Sequence, residues 1–348
     1  MIMDQTKLKP FDNFHVLDGY HCQTNSFAKI YDFYNSPLSE DMLLGIGSGM
    51  GFMYWHQKGT LPFLGGRDNN RNFHVDMGGR TGVIIEKIST SSQLKAERAL
   101  IDMLNNQQPV MMFVDMGFLP CFNFGADYHF GGHTHVVCGY DGGKTVLVSE
   151  MAPEDTGLKR GFVYEISLEQ LAKARGSVFK PFPPQNAYYL FDFTNFRQPS
   201  TKDIYAAIRQ ATEQMLNPPI KNFGAEGIRK AGSQIQKWEK QFNDNDFRMS
   251  IFNIYLFVTV AGTGGGIFRY MYSRFLREAS KITSNKELVN IADIINNSGD
   301  MWKDMALPLK DALDTEKPAS LIKEVPDRLN AIANIEEKAF EMLRKIVE

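Results

Sequence analysis

The chain has 348 residues, 43% of them hydrophobic and 22% charged, with a net charge of −2. That suits an ordinary globular protein of two domains, and it lacks the basic excess of a general nucleic-acid binder, so no nucleic-acid partner is expected. Three cysteines are too few and too odd a number for a disulfide framework, and Met1 to Phe14 shows no apolar signal segment, so a reducing, cytoplasmic setting is expected.

The first predicted helix runs from Cys22 to Tyr34, with Phe27, Ile30, Tyr31 and Tyr34 at helical spacing. Asn35-Ser36-Pro37 ends it, and Ser39-Glu40-Asp41 opens a second short helix. The glycine-rich stretch Gly45 to Phe52 lacks the Gly-Lys-Ser/Thr ending of a phosphate-binding loop and reads as a tight turn with close backbone packing. A loop with Pro62, Arg67, Asn69, Asn70 and Arg71 follows, solvated or facing an acidic partner.

Strands are predicted at Val83 to Ile88, Pro109 to Val114, Thr134 to Tyr140, Lys144 to Glu150, Gly161 to Ile166 and Ala187 to Phe193. Helices fall between them at Ser91 to Asn105 and Ser167 to Ala174, and Asp141-Gly142-Gly143 is a hairpin signal. After Pro199 helical periodicity takes over: 202–216, 225–242, 247–260, 267–282, 285–297, 300–314 and 318–347. The expected organisation is an α+β domain over residues 1–198 and an all-helical domain over 199–348. The longest apolar run, Ile251 to Ala261, is shorter than the roughly 20 residues a bilayer needs, so no membrane span is expected.

Cys22 follows Gly19-Tyr20-His21 and sits at a helix start, where unpaired N–H groups and the helix dipole favour thiolate. A cysteine nucleophile needs a base, and the base needs an orienting group. His135 directly abuts an apolar strand, and Glu150 ends the next hairpin arm, so Cys22, His135 and Glu150 are the expected catalytic residues. His133 shares the strand face two residues earlier. His129, His133 and His135 with Asp127 form a rival, metal-binding reading, although no His-Glu-x-x-His or Cys-x-x-Cys pattern accompanies them. Cys121 and Cys138 have no helix start to activate them and read as structural.

Several spaced motifs carry a family resemblance. Tyr20-His21-Cys22, Pro37-Leu38-Ser39-Glu40, Gly47-x-Gly49-x-Gly51-Phe52-x-Tyr54-Trp55, Pro62-Phe63-x-Gly65-Gly66-Arg67 and His135-Val136-Val137-x-Gly139-Tyr140-Asp141 resemble the N-terminal domain of the butirosin biosynthesis protein H family. Gly264-Gly265-Gly266-x-Phe268-Arg269-x-x-Tyr272-x-x-Phe275-Leu276-x-Glu278-Ala279 resembles its C-terminal region. The resemblance implies a papain-like cysteine-protease fold, a helix packed on an antiparallel sheet, turned from proteolysis to acyl transfer. It implies an acyl or peptidyl group taken from a carrier-protein thioester and passed to an amine, with no cofactor beyond the phosphopantetheine that delivers the substrate. A cysteine-protease homologue of closthioamide biosynthesis is similar in logic, joining a carrier-bound, polythioamidated β-alanine chain to a diamine.

Papain-like enzymes carry an oxyanion-hole Gln six residues before the cysteine; here that residue is Val16, which leaves the Cys22 N–H and, by adjacency, Gln23 as donors. Tyr20, Arg269, Tyr272 and Glu278 are the expected substrate-binding residues, and the helical half the expected lid against water. A cysteine hydrolase with the same triad, and a binding module that keeps the fold without catalysis, are the alternatives.

Overall fold

The computed structural model describes residues 7–68, 71–122, 128–152 and 157–348; Asn69, Asn70 and Asp127 lie outside them. In chain order the elements begin with α1 (Cys22–Phe33), α2 (Glu40–Ile46), β1 (Met50–Trp55), β2 (Phe63–Arg67) and α3 (Phe73–Thr81). Then come β3 (Ile84–Ile88), α4 (Gln93–Asn105), β4 (Val110–Val114), β5 (His133–Tyr140), β6 (Thr145–Met151), β7 (Gly161–Ser167), α5 (Leu168–Arg175) and β8 (Tyr188–Asp192). Helices follow: α6 (Thr201–Leu216), α7 (Gly224–Ile235), α8 (Trp238–Gln241), α9 (Asp244–Tyr255), α10 (Arg269–Thr283), α11 (Glu287–Ala306), α12 (Pro318–Leu321) and α13 (Val325–Val347). No helix among the described residues is long and apolar enough to cross a membrane.

The chain divides into two compact units, one of residues 1–40 and 82–196, the other of 41–81 and 197–348. This corrects the expected division at 198: residues 41–81 belong with the C-terminal helices. The reason is pairing that sequence order hides. In that second unit β1 and β2 form a two-stranded antiparallel sheet, and Met53 of β1 bridges Phe223, just before α7. The unit is therefore not all-helical.

The first unit is α+β. Its six strands run antiparallel in the order β3-β8-β4-β5-β6-β7. Side chains alternate across a strand, and β8 shows this directly. Tyr188 packs with the apolar core formed by Leu100, Leu104, Leu171, Ala174, Met112 and Val137, whereas Tyr189 and Phe191 meet Phe27 of α1 at 5.2 and 6.0 Å between ring centres. Helix α1 thus covers one face, and α4 and α5 the other. Tyr31 adds an edge-on contact with Phe193 at 4.9 Å. The β5–β6 hairpin turns where expected: Asp141 Oδ1 accepts the N–H groups of Gly143 and Thr145, and Gly142 takes the positive φ of 76° that its position requires.

In the second unit the glycine-rich stretches are packing devices. A side chain at Gly45 would meet the Phe275 ring at 2.1 Å, and one at Gly47 the Phe73 ring at 2.4 Å. Arg67, buried, lies over the Phe73 ring at 4.3 Å. Helices expected separately at 285–297 and 300–314 are joined through α11. The breaker-like Ser298-Gly299 is buried there, the Ser298 hydroxyl donating to Glu336 and Gly299 leaving room for the Tyr270 ring.

Two expected substrate residues are found in this core. Arg269 and Glu336 are both 0% exposed and form a two-pronged ion pair at 2.8 and 2.7 Å. Arg269 also donates to the Gly51 and Ile267 carbonyls, while Ser298 and Trp302 donate to Glu336. Tyr272 is fully buried and its hydroxyl has no partner. Both side chains are enclosed in the core and not on an open surface, which corrects the expected placement: helical spacing shows a face, not whether that face is wet. Glu278 is half-buried on α10, and Arg274, its neighbour one turn earlier, pairs with Asp41 at 2.6 and 2.9 Å. Arg269→Met should leave the Glu336 carboxylate buried without its counter-charge and lower the stability of the second unit by about 3–5 kcal/mol, read from the urea midpoint of the full chain.

Candidate active site

Everything about α1 fixes its first residue. Cys22 opens the helix, and its N–H is among the first-turn donors that have no intrahelical partner. His21 is the N-cap, its ring Nδ1 accepting the Thr24 N–H at 3.3 Å. Glu40 holds the turn from the other side. Its Oε2 accepts the Tyr20 N–H at 2.9 Å, and its Oε1 accepts the His21 N–H at 2.7 Å and the Thr24 hydroxyl at 2.6 Å. Gly19 pairs with Lys159 through both backbone bonds, at 2.9 and 2.7 Å. A side chain at Gly19 would come within 2.2 Å of Asn25 and 2.6 Å of Glu40, so the close approach requires glycine.

The hairpin supplies the partners. Glu150, near the end of β6, accepts a 2.6 Å hydrogen bond from Nε2 of His133, the first residue of β5. Its second oxygen accepts the Met151 N–H at 2.8 Å. With Nε2–H committed to the carboxylate, Nδ1 of His133 is the nitrogen available to Cys22, and His133 and the backbone N–H of Thr134 both favour the Cys22 thiolate. The Phe122 ring stands perpendicular to the His133 ring at 5.5 Å.

The electrostatics follow from this line of three. Burial alone would raise the Cys22 thiol, but the His133 charge and the hydrogen bonds from His133 and Thr134 outweigh it and hold the thiol below its ordinary value. Burial would lower His133, but Glu150 and the Cys22 thiolate raise it to about 10. Glu150 is lowered despite burial, first by His133. The arrangement can therefore hold thiolate, imidazolium and carboxylate together at neutral pH.

The histidine is thus His133, not the expected His135. His135 lies deeper in β5, opposite Met112 of β4, with both ring nitrogens buried and unpartnered. Burial pushes it down to about 3, so it stays neutral. The apolar run suggests a strand from Thr134 with His135 abutting it, whereas β5 begins one residue earlier, at His133.

Gln23 is half-buried and its amide donates to the Tyr189 hydroxyl at 3.3 Å, toward β8. Tyr20 is half-buried beside Glu40. The histidines of the metal reading go separate ways: His129 pairs with Asp115 at 2.9 Å, His133 with Glu150, and His135 with nothing. Among the described residues no group of three or more metal-ligating side chains is gathered. Cys121 and Cys138 are both pushed up by burial, to about 12. Glu40, three residues past Pro37, reads in sequence as a helix-start acid, and in the structure it ties down the turn before Cys22.

Comparison with known families bears on the same residues. Residues 21–151 match the family model Butirosin biosynthesis protein H, N-terminal, a span that takes in Cys22, His133 and Glu150. Residues 169–343 match Domain of unknown function (DUF4872), half of the chain. The chain belongs to that family and, with the first match, is butirosin biosynthesis protein H-like. A search of curated proteins finds no match.

The pH dependence of Cys22 alkylation follows from the shifts. Raising the pH through the lowered Cys22 value creates thiolate, so reactivity with iodoacetamide should rise at lower pH than for a free thiol. The imidazolium partner persists until the pH approaches that of His133, about 10. His133→Ala should remove the early rise and slow alkylation at pH 7 by about tenfold or more. His135→Leu should leave the rise in place and be neutral or stabilising, since it replaces two unsatisfied buried nitrogens with apolar atoms.

Proposed function

We propose that the protein is a cysteine-dependent acyltransferase of papain-like fold that forms an amide in natural-product biosynthesis, with antibiotic assembly as its setting. The reading rests on the Cys22–His133–Glu150 line at the start of α1, in a chain that is butirosin biosynthesis protein H-like. The donor is an acyl or peptidyl group held as a thioester on the phosphopantetheine of a carrier protein; the acceptor is a small amine, a diamine or an aminoglycoside. No other cofactor is required, and the setting is cytoplasmic.

The steps use the chain's own groups. The Cys22 thiolate attacks the thioester carbonyl carbon, and the developing oxyanion is met by the Cys22 N–H at the helix start. Collapse breaks the bond to the pantetheine sulfur, which leaves with the proton of His133. The product is a Cys22 acyl thioester. The amine nitrogen then attacks it, His133 takes the amine proton, and Cys22 leaves as thiolate. Glu150 keeps the His133 ring oriented and its imidazolium stabilised throughout. One thioester is exchanged for another and then for an amide, a downhill sequence that needs no ATP.

Intact-mass measurement on the full chain mixed with an acyl-loaded carrier protein should show one acyl adduct, mapped to Cys22 and absent from Cys22→Ala. Adding amine should discharge it to amide. Free acid released at the same rate with and without amine would make the enzyme a hydrolase, and no adduct from any donor would make it a binding module.

A further inference from the structure

His133 is the first residue of β5, and its partner across the ladder is Val114, the last residue of β4. Beyond the last pair a ladder has no further bonds, so strand ends are the first part of a sheet to open. The histidine that must meet both Glu150 and Cys22 is thus placed where the sheet by itself holds least, and Gly131 and Gly132 just before it add no side chains to pack. The residue after Val114 makes up for this. Asp115 is 0% exposed and spreads four donors over its two carboxylate oxygens. Oδ1 accepts the N–H groups of Gly117 and Phe130, both at 3.0 Å. Oδ2 accepts Nδ1–H of His129 at 2.9 Å and the Ser177 hydroxyl at 2.6 Å.

Two of these donors, His129 and Phe130, lie on the segment that leads into His133. The Phe130 carbonyl returns a bond, accepting the Met116 N–H at 3.0 Å, so Asp115 and its neighbour continue the β4–β5 pairing past the point where the regular ladder stops. The backbones there are close: a side chain at Gly117 would come within 2.1 Å of the Tyr128 carbonyl, and one at Gly131 within 2.2 Å of the Phe182 carbonyl. The His129 ring also lies flat on Phe179, at 3.4 Å between ring centres. Ser177 fastens the same carboxylate to the segment after α5. We propose that Asp115 is a positioning residue of the active site: it anchors the chain entering β5 and thereby fixes His133 against Glu150 and Cys22. It acts through His133 and not on the reacting atoms. The site depends on it because a base displaced by about 1 Å loses its alignment with the nucleophile.

The inference rests on the thiolate–imidazolium reading of Cys22 and His133, but not on what acylates Cys22. Its test is the pH dependence of Cys22 alkylation by iodoacetamide, followed by peptide mass, in full-length wild type, Asp115→Ala, Asp115→Asn and Ser177→Ala. Asp115→Ala releases His129 and Phe130, so the acid-side rise should move toward that of a free thiol and the rate at pH 7 should fall about three- to tenfold. Asp115→Asn keeps an oxygen for the Gly117 and Phe130 N–H groups and should hold the wild-type position. Ser177→Ala removes only the donor away from the β5 lead-in and should hold it too, whatever happens to its urea midpoint. A merely structural Asp115 would lower the urea midpoint in Asp115→Ala without moving the rise, and that result overturns the proposal. A rise that moves as far in Ser177→Ala as in Asp115→Ala overturns it as well. If Asp115→Ala does not fold, His129→Phe takes its place. That variant keeps a ring on Phe179 but gives up the bond to Asp115, so its rise should move the same way by a smaller amount, and an unmoved rise overturns the proposal. A wild-type Cys22 that titrates like a free thiol overturns the ion-pair reading and the proposal with it. A wild-type Cys22 that titrates early, with no shift in Asp115→Ala, overturns only the role of Asp115.

Discussion

The 2.6 Å bond between His133 and Glu150 is the interaction on which the site depends. A buried histidine would otherwise shed its proton, as His135 does two residues away on the same strand. The carboxylate reverses that, and the imidazolium it sustains in turn draws down the Cys22 thiol. The rest of the first unit serves this chain of effects. The Asp141 turn closes the hairpin that brings the start of β5 to the end of β6. The aromatic rows of β8 fix α1 against the sheet, and Glu40 and Gly19 fix the turn that delivers Cys22.

Much of this was legible in the sequence, for identifiable reasons. Cys22 was visible because a helix start is a local signal, and Glu150 because an Asp-Gly hairpin sets which residues meet. The choice between His133 and His135 was not, since both share one strand parity. The difference is made by position along the strand, where His133 is reached by Glu150 and Cys22 and His135 is enclosed opposite Met112. The membership of residues 41–81 in the second unit was invisible because β1 finds its partners far along the chain, near α7.

The motifs that carry the family resemblance divide into two physical kinds. Tyr20-His21-Cys22 and the β5 strand contribute to the candidate site. The glycine stretches and Arg269 hold a core: glycines where aromatic rings approach the backbone, and an arginine whose partner, Glu336, lies on the last helix. A motif's specificity for a family therefore says little about whether it meets the substrate. Arg269 and Tyr272 are inside for packing, and the Cys22–His133–Glu150 line lies apart from them at one end of α1.

The protonation state of His133 is the most direct measure of the whole arrangement. Nitrogen-15 NMR of selectively labelled histidine, with His133 assigned through His133→Gln, reads it as a function of pH in wild type and in Cys22→Ala. His133 should be an imidazolium across neutral pH, losing its proton well above the ordinary histidine range in wild type and at lower pH once the thiolate is removed. A His133 that is neutral at pH 7, or one whose titration is indifferent to Cys22, would contradict the coupling on which the site is built.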